Sequence, residues 1–155
     1  MKCPINVVLF EPEIPQNTGN IGRTCVAVGA KLWLVEPLGF ELTEKRLRRA
    51  GLDYWQHLDI EIVGDWDQLL QRLPDVSPWV YTKHATKCYL DAHYDIGDTL
   101  IFGNESSGLP AHIHDSWSDR CVRVPMRDEV RSLNLATTAG IAIYEAQRQI
   151  NALTG

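Results

Sequence analysis

The chain of 155 residues lacks several patterns that would assign it to a familiar class. Its four cysteines form no C-x-x-C pair, which argues against a zinc knuckle or a redox dithiol. It contains neither G-K-[ST] nor G-x-S-x-G, so neither a P-loop nor a hydrolase nucleophile elbow is indicated. No apolar run approaches the roughly 20 residues of a membrane span, so a membrane protein is not expected.

The chain also lacks an excess of basic residues, and its net charge is −5. This balance argues mildly against a nucleic-acid partner, since phosphate binding depends on local positive potential. The distribution of charge nevertheless leaves room for a basic face. Arginine recurs between positions 120 and 131, and a second cluster consists of Lys45, Arg46, Arg48 and Arg49. We take Arg46 and Arg48 as candidate substrate-binding residues.

The remaining composition is that of an ordinary globular protein, with 45% hydrophobic and 23% charged residues. The length predicts a single domain over residues 1–155. The apolar stretch at 5–10 is too short for the core of a signal peptide, so we expect a cytoplasmic protein.

Hydrophobic periodicity predicts alternating strands and helices. A strand at 5–10 is followed by a helix that Asn17 or Thr18 could cap and Gly29 could end. Further strands are predicted near 32–35, 60–63, 79–82, 99–103 and 121–124, with helices near 43–50, 65–73, 110–117 and 132–153. This order predicts a single α/β domain with a mostly parallel sheet.

Three polar clusters follow predicted strands, where ligands bind in such sheets. They are Asn17-Thr18-Gly19-Asn20-Ile21-Gly22-Arg23, Phe102-Gly103-Asn104-Glu105-Ser106-Ser107-Gly108-Leu109, and Pro125-Met126 with Arg131-Ser132-Leu133-Asn134. The first could bind a phosphate at a helix start, the second permits close backbone approach to a ligand, and the third opens a helix with Ser132 as N-cap. Each is alone equally explained by a helix cap or an ordinary glycine-rich loop.

In this order the clusters resemble the three motifs of the SPOUT RNA methyltransferases, over nearly the whole chain. Segments 11–17 and 45–54 resemble the subgroup that methylates the ribose of the tRNA wobble nucleotide with S-adenosylmethionine. The resemblance implies tRNA as partner, a homodimer and a C-terminal trefoil knot. A metal site could recruit His84 with Cys88 or His112 with His114, but no four-ligand set of familiar spacing emerges, so no metal is expected. The segment 83–87 departs from the threonine- and glycine-bearing loop that is usual in this subgroup.

The same resemblance implies roles for individual residues. Arg23 and Asn134 match the catalytic arginine and asparagine, and Glu105 matches the motif-two glutamate, which we assign to substrate binding. The cofactor is expected against Tyr81, Gly103, Val124, Ser132 and Leu133.

Chemistry constrains the role of Arg23. The ribose hydroxyl must lose a proton as it attacks the sulfonium methyl group. A guanidinium is a poor proton acceptor because its pKa lies above about 12, so we interpret Arg23 as a phosphate clamp.

Three alternatives stay open from the sequence. A hydrolase could use His84 or His93 with Ser106, although their spacing matches no familiar triad. A noncatalytic RNA-binding module of the same fold would keep the basic face but bind cofactor poorly. An enzyme of the same type could also methylate a different RNA site.

Overall fold

The computed structural model of the chain describes residues 5–43 and 54–150, and a parallel sheet is the frame of this part. Its strands are β1 (Asn6–Phe10), β2 (Lys31–Val35), β3 (Ile60–Val63), β4 (Pro78–Tyr81), β5 (Lys87–Cys88), β6 (Thr99–Phe102) and β7 (Cys121–Arg123). Their order across the sheet is β3-β2-β1-β6-β4-β7-β5, and every neighbouring pair is parallel. The predicted α/β class with a parallel sheet is confirmed, whereas the trefoil knot stays a prediction.

Helices cover both faces of the sheet. They are α1 (Pro15–Val28), α2 (Trp66–Arg72), α3 (Ala111–Ser116) and α4 (Leu135–Ile150), and short 3-10 helices lie at Trp55–His57, Tyr89–Asp91 and Ser118–Arg120. Among the described helices, none is long and apolar enough to cross a membrane.

Alternating strand residues supply two hydrophobic cores. On β6, Leu100 and Phe102 belong to the core that α1 and α4 cover, whereas Ile101 belongs to the core that contains Leu69 of α2 and Ile113 of α3. Successive side chains of a strand point to opposite faces, so a strand buried on both faces must be apolar throughout. This is why the predicted strands are short continuous apolar runs.

The helix boundaries correct two expectations. Helix α1 begins at Pro15 rather than at Asn17 or Thr18, which both lie buried within it, and it ends at Gly29 in the left-handed conformation as predicted. Helix α4 begins at Leu135, and Asn134 rather than Ser132 caps it, because the Asn134 side chain accepts hydrogen bonds from the first turn.

Two further elements are present either in the prediction or in the described structure, but not in both. The predicted helix at 43–50, with Arg46 and Arg48, lies almost wholly outside the described residues. Strand β5 was not predicted, because two residues carry no periodicity. It lies at the sheet edge, where Lys87 and Cys88 pair with β7.

The sheet order brings three strand ends together. Strands β6, β4 and β7 are neighbours, so their carboxyl ends lie along one stretch of the same edge. The second cluster follows β6 and the third follows β7, while Thr82 and Lys83 follow β4. The fold therefore places these segments beside one another, which is the usual position of a ligand site in a parallel sheet.

Gly103 and Gly140 provide a matched pair of glycines for a stability test. A Cβ atom on Gly103 would lie 2.3 Å from the Gly108 carbonyl carbon, whereas one on Gly140 would meet nothing within 4 Å. We predict that Gly103→Ala lowers the free energy of unfolding by about 1–3 kcal/mol, because backbone must move. Gly140→Ala should raise it by roughly 0.5–1 kcal/mol, because alanine favours helix. Urea denaturation measures both, and equal effects would contradict the close packing at Gly103.

Candidate functional site

A cleft of about 470 Å³ opens where β6, β4 and β7 end, and the starts of α1 and α4 complete it. Its size is within the range of small-molecule sites. The lining comprises Ile14, Asn17, Tyr81, Thr82, Lys83, His84, Phe102, Gly103, Asn104, Glu105, Ser106, Ser107, Gly108, Leu109, His114, Arg123, Val124, Met126, Ser132, Leu133, Asn134, Leu135 and Thr138.

The structure brings most of the predicted site residues together. The five expected cofactor residues all line the cleft, as do Glu105 and Asn134. Arg23 is not among the residues that line it. Its exposed side chain lies on α1, with the guanidinium carbon 5.4 Å from the centroid of the Tyr54 ring. Arg46 and Arg48 fall outside the described residues.

One wall of the cleft is aromatic. The rings of Tyr81 and Phe102 stack with centroids 4.9 Å apart and an interplanar angle of 23°. The Tyr81 hydroxyl forms a hydrogen bond with the Tyr94 hydroxyl. Burial, followed by the effect of Tyr94, raises the pKa of Tyr81 well above its usual value, and burial raises the pKa of Tyr94 to about 12. Both phenols are therefore neutral at pH 7.

The carboxylate of Glu105 is held by the start of α1. Its oxygens accept hydrogen bonds from the backbone N–H groups of Glu13 (3.0 Å) and Ile14 (2.8 Å), and from the Asn17 side-chain amide (3.1 Å). A helix N-terminus attracts an anion, and here the anion is a side chain of the protein itself. The assignment of Glu105 to substrate binding stays a prediction.

This arrangement corrects our reading of the first cluster. Gly19 and Gly22 lie buried within α1 instead of opening it, and Arg23 lies well inside the helix. Gly22 has a packing role, because a Cβ there would lie 3.1 Å from Leu58 and 3.3 Å from Trp55. The phosphate site expected at the helix start is therefore occupied by Glu105.

A second carboxylate, that of Glu13 just before α1, reaches back to the loop after β6 that carries Glu105. The Glu13 side chain accepts hydrogen bonds from the Ser106 backbone N–H (3.0 Å) and from the Ser106 hydroxyl. These hydrogen bonds lower the pKa of Glu13. Because the described contacts direct the Ser106 hydroxyl to a carboxylate and to no histidine, the geometry does not favour the hydrolase alternative.

Asn134 joins the third cluster to the first. Its side-chain oxygen accepts hydrogen bonds from the N–H groups of Ala136 (2.9 Å) and Thr137 (3.2 Å), and its amide donates to the Asn17 side chain (3.0 Å). Asn17 in turn donates to Glu105. The chain Glu105–Asn17–Asn134 therefore links all three clusters across the cleft.

Several lining residues were not predicted from the sequence. Asn17 was read as a helix cap, and His84 and His114 were weighed only for metal or hydrolase roles. Among residues 5–43 and 54–150, no group of three or more His, Cys, Asp or Glu could hold a metal ion. The signal for His84 was its position just after β4, whereas nothing in a helix as short as α3 indicates which side faces the cleft.

The lining fits the cofactor that the resemblance implies. The stacked Tyr81 and Phe102, with Val124 and Leu133, form an apolar surface suited to a nucleoside base. The backbone at Gly103 lies so close to Gly108 that any side chain would displace this loop. The polar loop and the exposed Ser132 offer hydrogen-bonding groups beside that surface.

Comparison with known proteins assigns the family. The model of the SpoU rRNA Methylase family matches residues 4–144. A tRNA (cytidine(34)-2'-O)-methyltransferase from Saccharophagus degradans is 44% identical over 146 residues, which cover 94% of this chain and 95% of the relative.

Two solved structures share the fold. One concerns the 2-OH methylation of C/U34 on tRNA, with a TM-score of 0.87, 42% identity, and coverage of 94% of this chain and 95% of that one. The other is an AdoMet-bound rRNA methyltransferase from Sinorhizobium meliloti, with a TM-score of 0.83, 25% identity, and coverage of 94% and 58%. The chain, whose three polar clusters meet at one sheet edge, therefore belongs to the SpoU rRNA Methylase family.

Proposed function

We propose that the protein is a tRNA 2′-O-methyltransferase that uses S-adenosylmethionine to methylate the ribose of the wobble nucleotide, position 34. The observation that carries the proposal is the meeting of the three clusters in one cleft, in a chain with 44% identity to a tRNA (cytidine(34)-2'-O)-methyltransferase over 94% of its length.

Tyr81, Gly103, Val124, Ser132 and Leu133 would hold the cofactor, which supplies an electrophilic methyl group when bound. The protein's own contribution is to position the reactants, since methyl transfer needs an in-line arrangement. Asn134 lies at the cleft with its side chain fixed by α4 and Asn17, so it can present a fixed edge to the ribose.

We propose that the protein acts as a homodimer. Arg23 does not line the cleft of its own chain and is exposed on α1. A dimer that brings α1 of one protomer to the cleft of its partner would supply the guanidinium that the described lining lacks at that position. A bidentate guanidinium can hold a substrate phosphate and so orient the ribose.

The tRNA would be gripped by local basic clusters, because the whole chain carries a net charge of −5. We propose Arg46 and Arg48 for this role. With tRNA as substrate, we place the reaction in the cytoplasm.

The direct test is methyl transfer from labelled S-adenosylmethionine to tRNA from cells that lack this enzyme. We expect one methyl group per accepted tRNA, at the 2′-oxygen of nucleotide 34, located by nuclease digestion and mass spectrometry. Transfer to another ribose would overturn the wobble assignment. Cofactor binding without transfer to any RNA would support a noncatalytic module instead.

Arg23→Lys separates a phosphate clamp from a proton acceptor. The lysine keeps the charge but loses the planar fork, so we expect single-turnover transfer to fall severely while cofactor affinity is unchanged. The pH profile should gain no new limb. Recovery of near wild-type rates as the pH approaches a lysine pKa of about 10 would contradict the clamp. Wild-type rates at every pH would remove Arg23 from catalysis.

Charge reversal at Arg46 and at Arg48 tests the RNA surface. Each variant should bind tRNA more weakly and show a flatter dependence of affinity on salt, because fewer counterions are released. Asp75→Lys, which adds positive charge at an exposed position, serves as the control for nonspecific charge effects. Unchanged affinity and salt slope in both arginine variants would exclude this cluster from binding, and a monomer in sedimentation experiments would contradict the dimer.

A further inference from the structure

Two histidines face each other across one end of the cleft. His84 lies in the turn after β4 and His114 lies on α3, and their ring centroids are 6.1 Å apart at an interplanar angle of 68°. Both line the cleft that we assign to the cofactor. We call them the histidine pair.

The local backbone fixes both positions. The Thr82 hydroxyl accepts a hydrogen bond from the His84 N–H at 3.2 Å, and the Thr82 carbonyl accepts one from the Ala85 N–H at 3.2 Å. On the other side, the His114 carbonyl accepts from the Trp117 N–H at 3.3 Å and from the Cys121 thiol. The pair is therefore held by two short, hydrogen-bonded segments from different strand ends.

One atom of the pair has unused hydrogen-bonding capacity. The Nε2 atom of His114 is buried and finds no hydrogen-bond partner among the described residues. A buried polar atom without a partner is uncommon and calls for a ligand, a water molecule or a neutral ring. Proton uptake at this ring would add a positive charge, and no described residue accepts a hydrogen bond from Nε2.

The charge of the surrounding cleft makes such a proton costly. The described lining contains a single carboxylate, Glu105, which three donors at or just before the start of α1 already engage. Lys83 and Arg123 line the same cleft and are cations. A cofactor with a sulfonium charge must therefore enter a cleft whose lining has two cationic side chains and one carboxylate. Each further positive charge in the lining opposes its binding.

Resting on the proposed use of S-adenosylmethionine, we propose that the histidine pair determines how the cleft discriminates between the sulfonium cofactor and its uncharged thioether product. With the His114 ring neutral, the cleft tolerates the sulfonium. When His114 carries a proton, the cleft favours S-adenosylhomocysteine, which lacks the methyl group and with it the sulfonium charge.

The titration of His114 agrees with this arrangement. Burial, and then the neighbouring His84, lower the pKa of His114 from its usual value of 6.5, while Asp115 acts in the opposite direction. The other titratable or charged groups around the ring are Lys83, Glu105, Cys121 and Arg123. The lowered pKa favours the neutral ring of His114 at pH 7, and the ring gains charge as the solution becomes more acidic, so affinity for the sulfonium ligand must decrease toward acidic pH.

Calorimetry tests the proposal without relying on catalysis. Affinities of the wild-type protein for S-adenosylmethionine and S-adenosylhomocysteine are measured from pH 7.0 to 5.0, below the pKa of about 8 of the amino group that both ligands share. We expect affinity for the sulfonium ligand to fall about fivefold or more, as for one added charge in a partly solvated cleft, and that for the thioether to fall less. Buffers of different ionisation enthalpy should show proton release on binding of the sulfonium ligand.

Three glutamine variants assign the effect. His114→Gln should remove the extra loss for the sulfonium ligand, and His84→Gln should move its midpoint to higher pH, because the neighbouring ring that lowers the pKa of His114 is gone. His112→Gln, an exposed change on the same helix, should behave as wild type. Circular dichroism at both pH limits verifies that each variant is folded.

The outcomes separate this inference from the proposed function. Equal pH dependence for both ligands in the wild-type protein would overturn the inference, as would a wild-type profile in His114→Gln. Absence of binding to S-adenosylmethionine even at pH 7.0 would instead overturn the proposed cofactor use.

Discussion

The reciprocal hydrogen bonds of two carboxylates, one from the start of α1 and one from the loop after β6, are the interaction on which the rest of the site depends. Glu105 accepts hydrogen bonds from Glu13, Ile14 and Asn17, and Glu13 accepts from Ser106 in return. Charge-assisted hydrogen bonds are stronger than neutral ones. Because Asn17 also contacts Asn134, these reciprocal hydrogen bonds hold the first and second clusters together and, through them, position the start of α4.

The same interaction accounts for how α1 begins. Its N-cap residue, Ile14, has no capping side-chain hydrogen bond, and the N–H groups of Glu13 and Ile14, which immediately precede the helix, need an acceptor. Glu105 provides it from a position 91 residues away in sequence from Ile14. Removing that carboxylate would therefore affect a helix end and a cleft wall together.

The described lining of the cleft offers a cationic cofactor no free carboxylate. Its carboxylate is engaged by α1, and its aromatic wall is neutral because burial raises the pKa values of Tyr81 and Tyr94. The apolar surfaces then provide attraction by exclusion of water, which is insensitive to charge. Selectivity between a charged and an uncharged sulfur then depends on the ionisable side chains of the lining, among which the histidine pair contributes a buried nitrogen without a hydrogen-bond partner in the described part of the chain.

The sequence by itself determined the α/β class, every described strand except β5, and the location of the three polar clusters, since continuous apolar runs and glycine stops are local signals. It also determined the family, because the motifs carry that information together. The tertiary structure alone decided that Glu105 binds α1, that Asn134 rather than Ser132 caps α4, and that His84 meets His114. These contacts join residues distant in the chain, and their geometry depends on strand order and on which side of a short helix faces the cleft, neither of which local periodicity encodes.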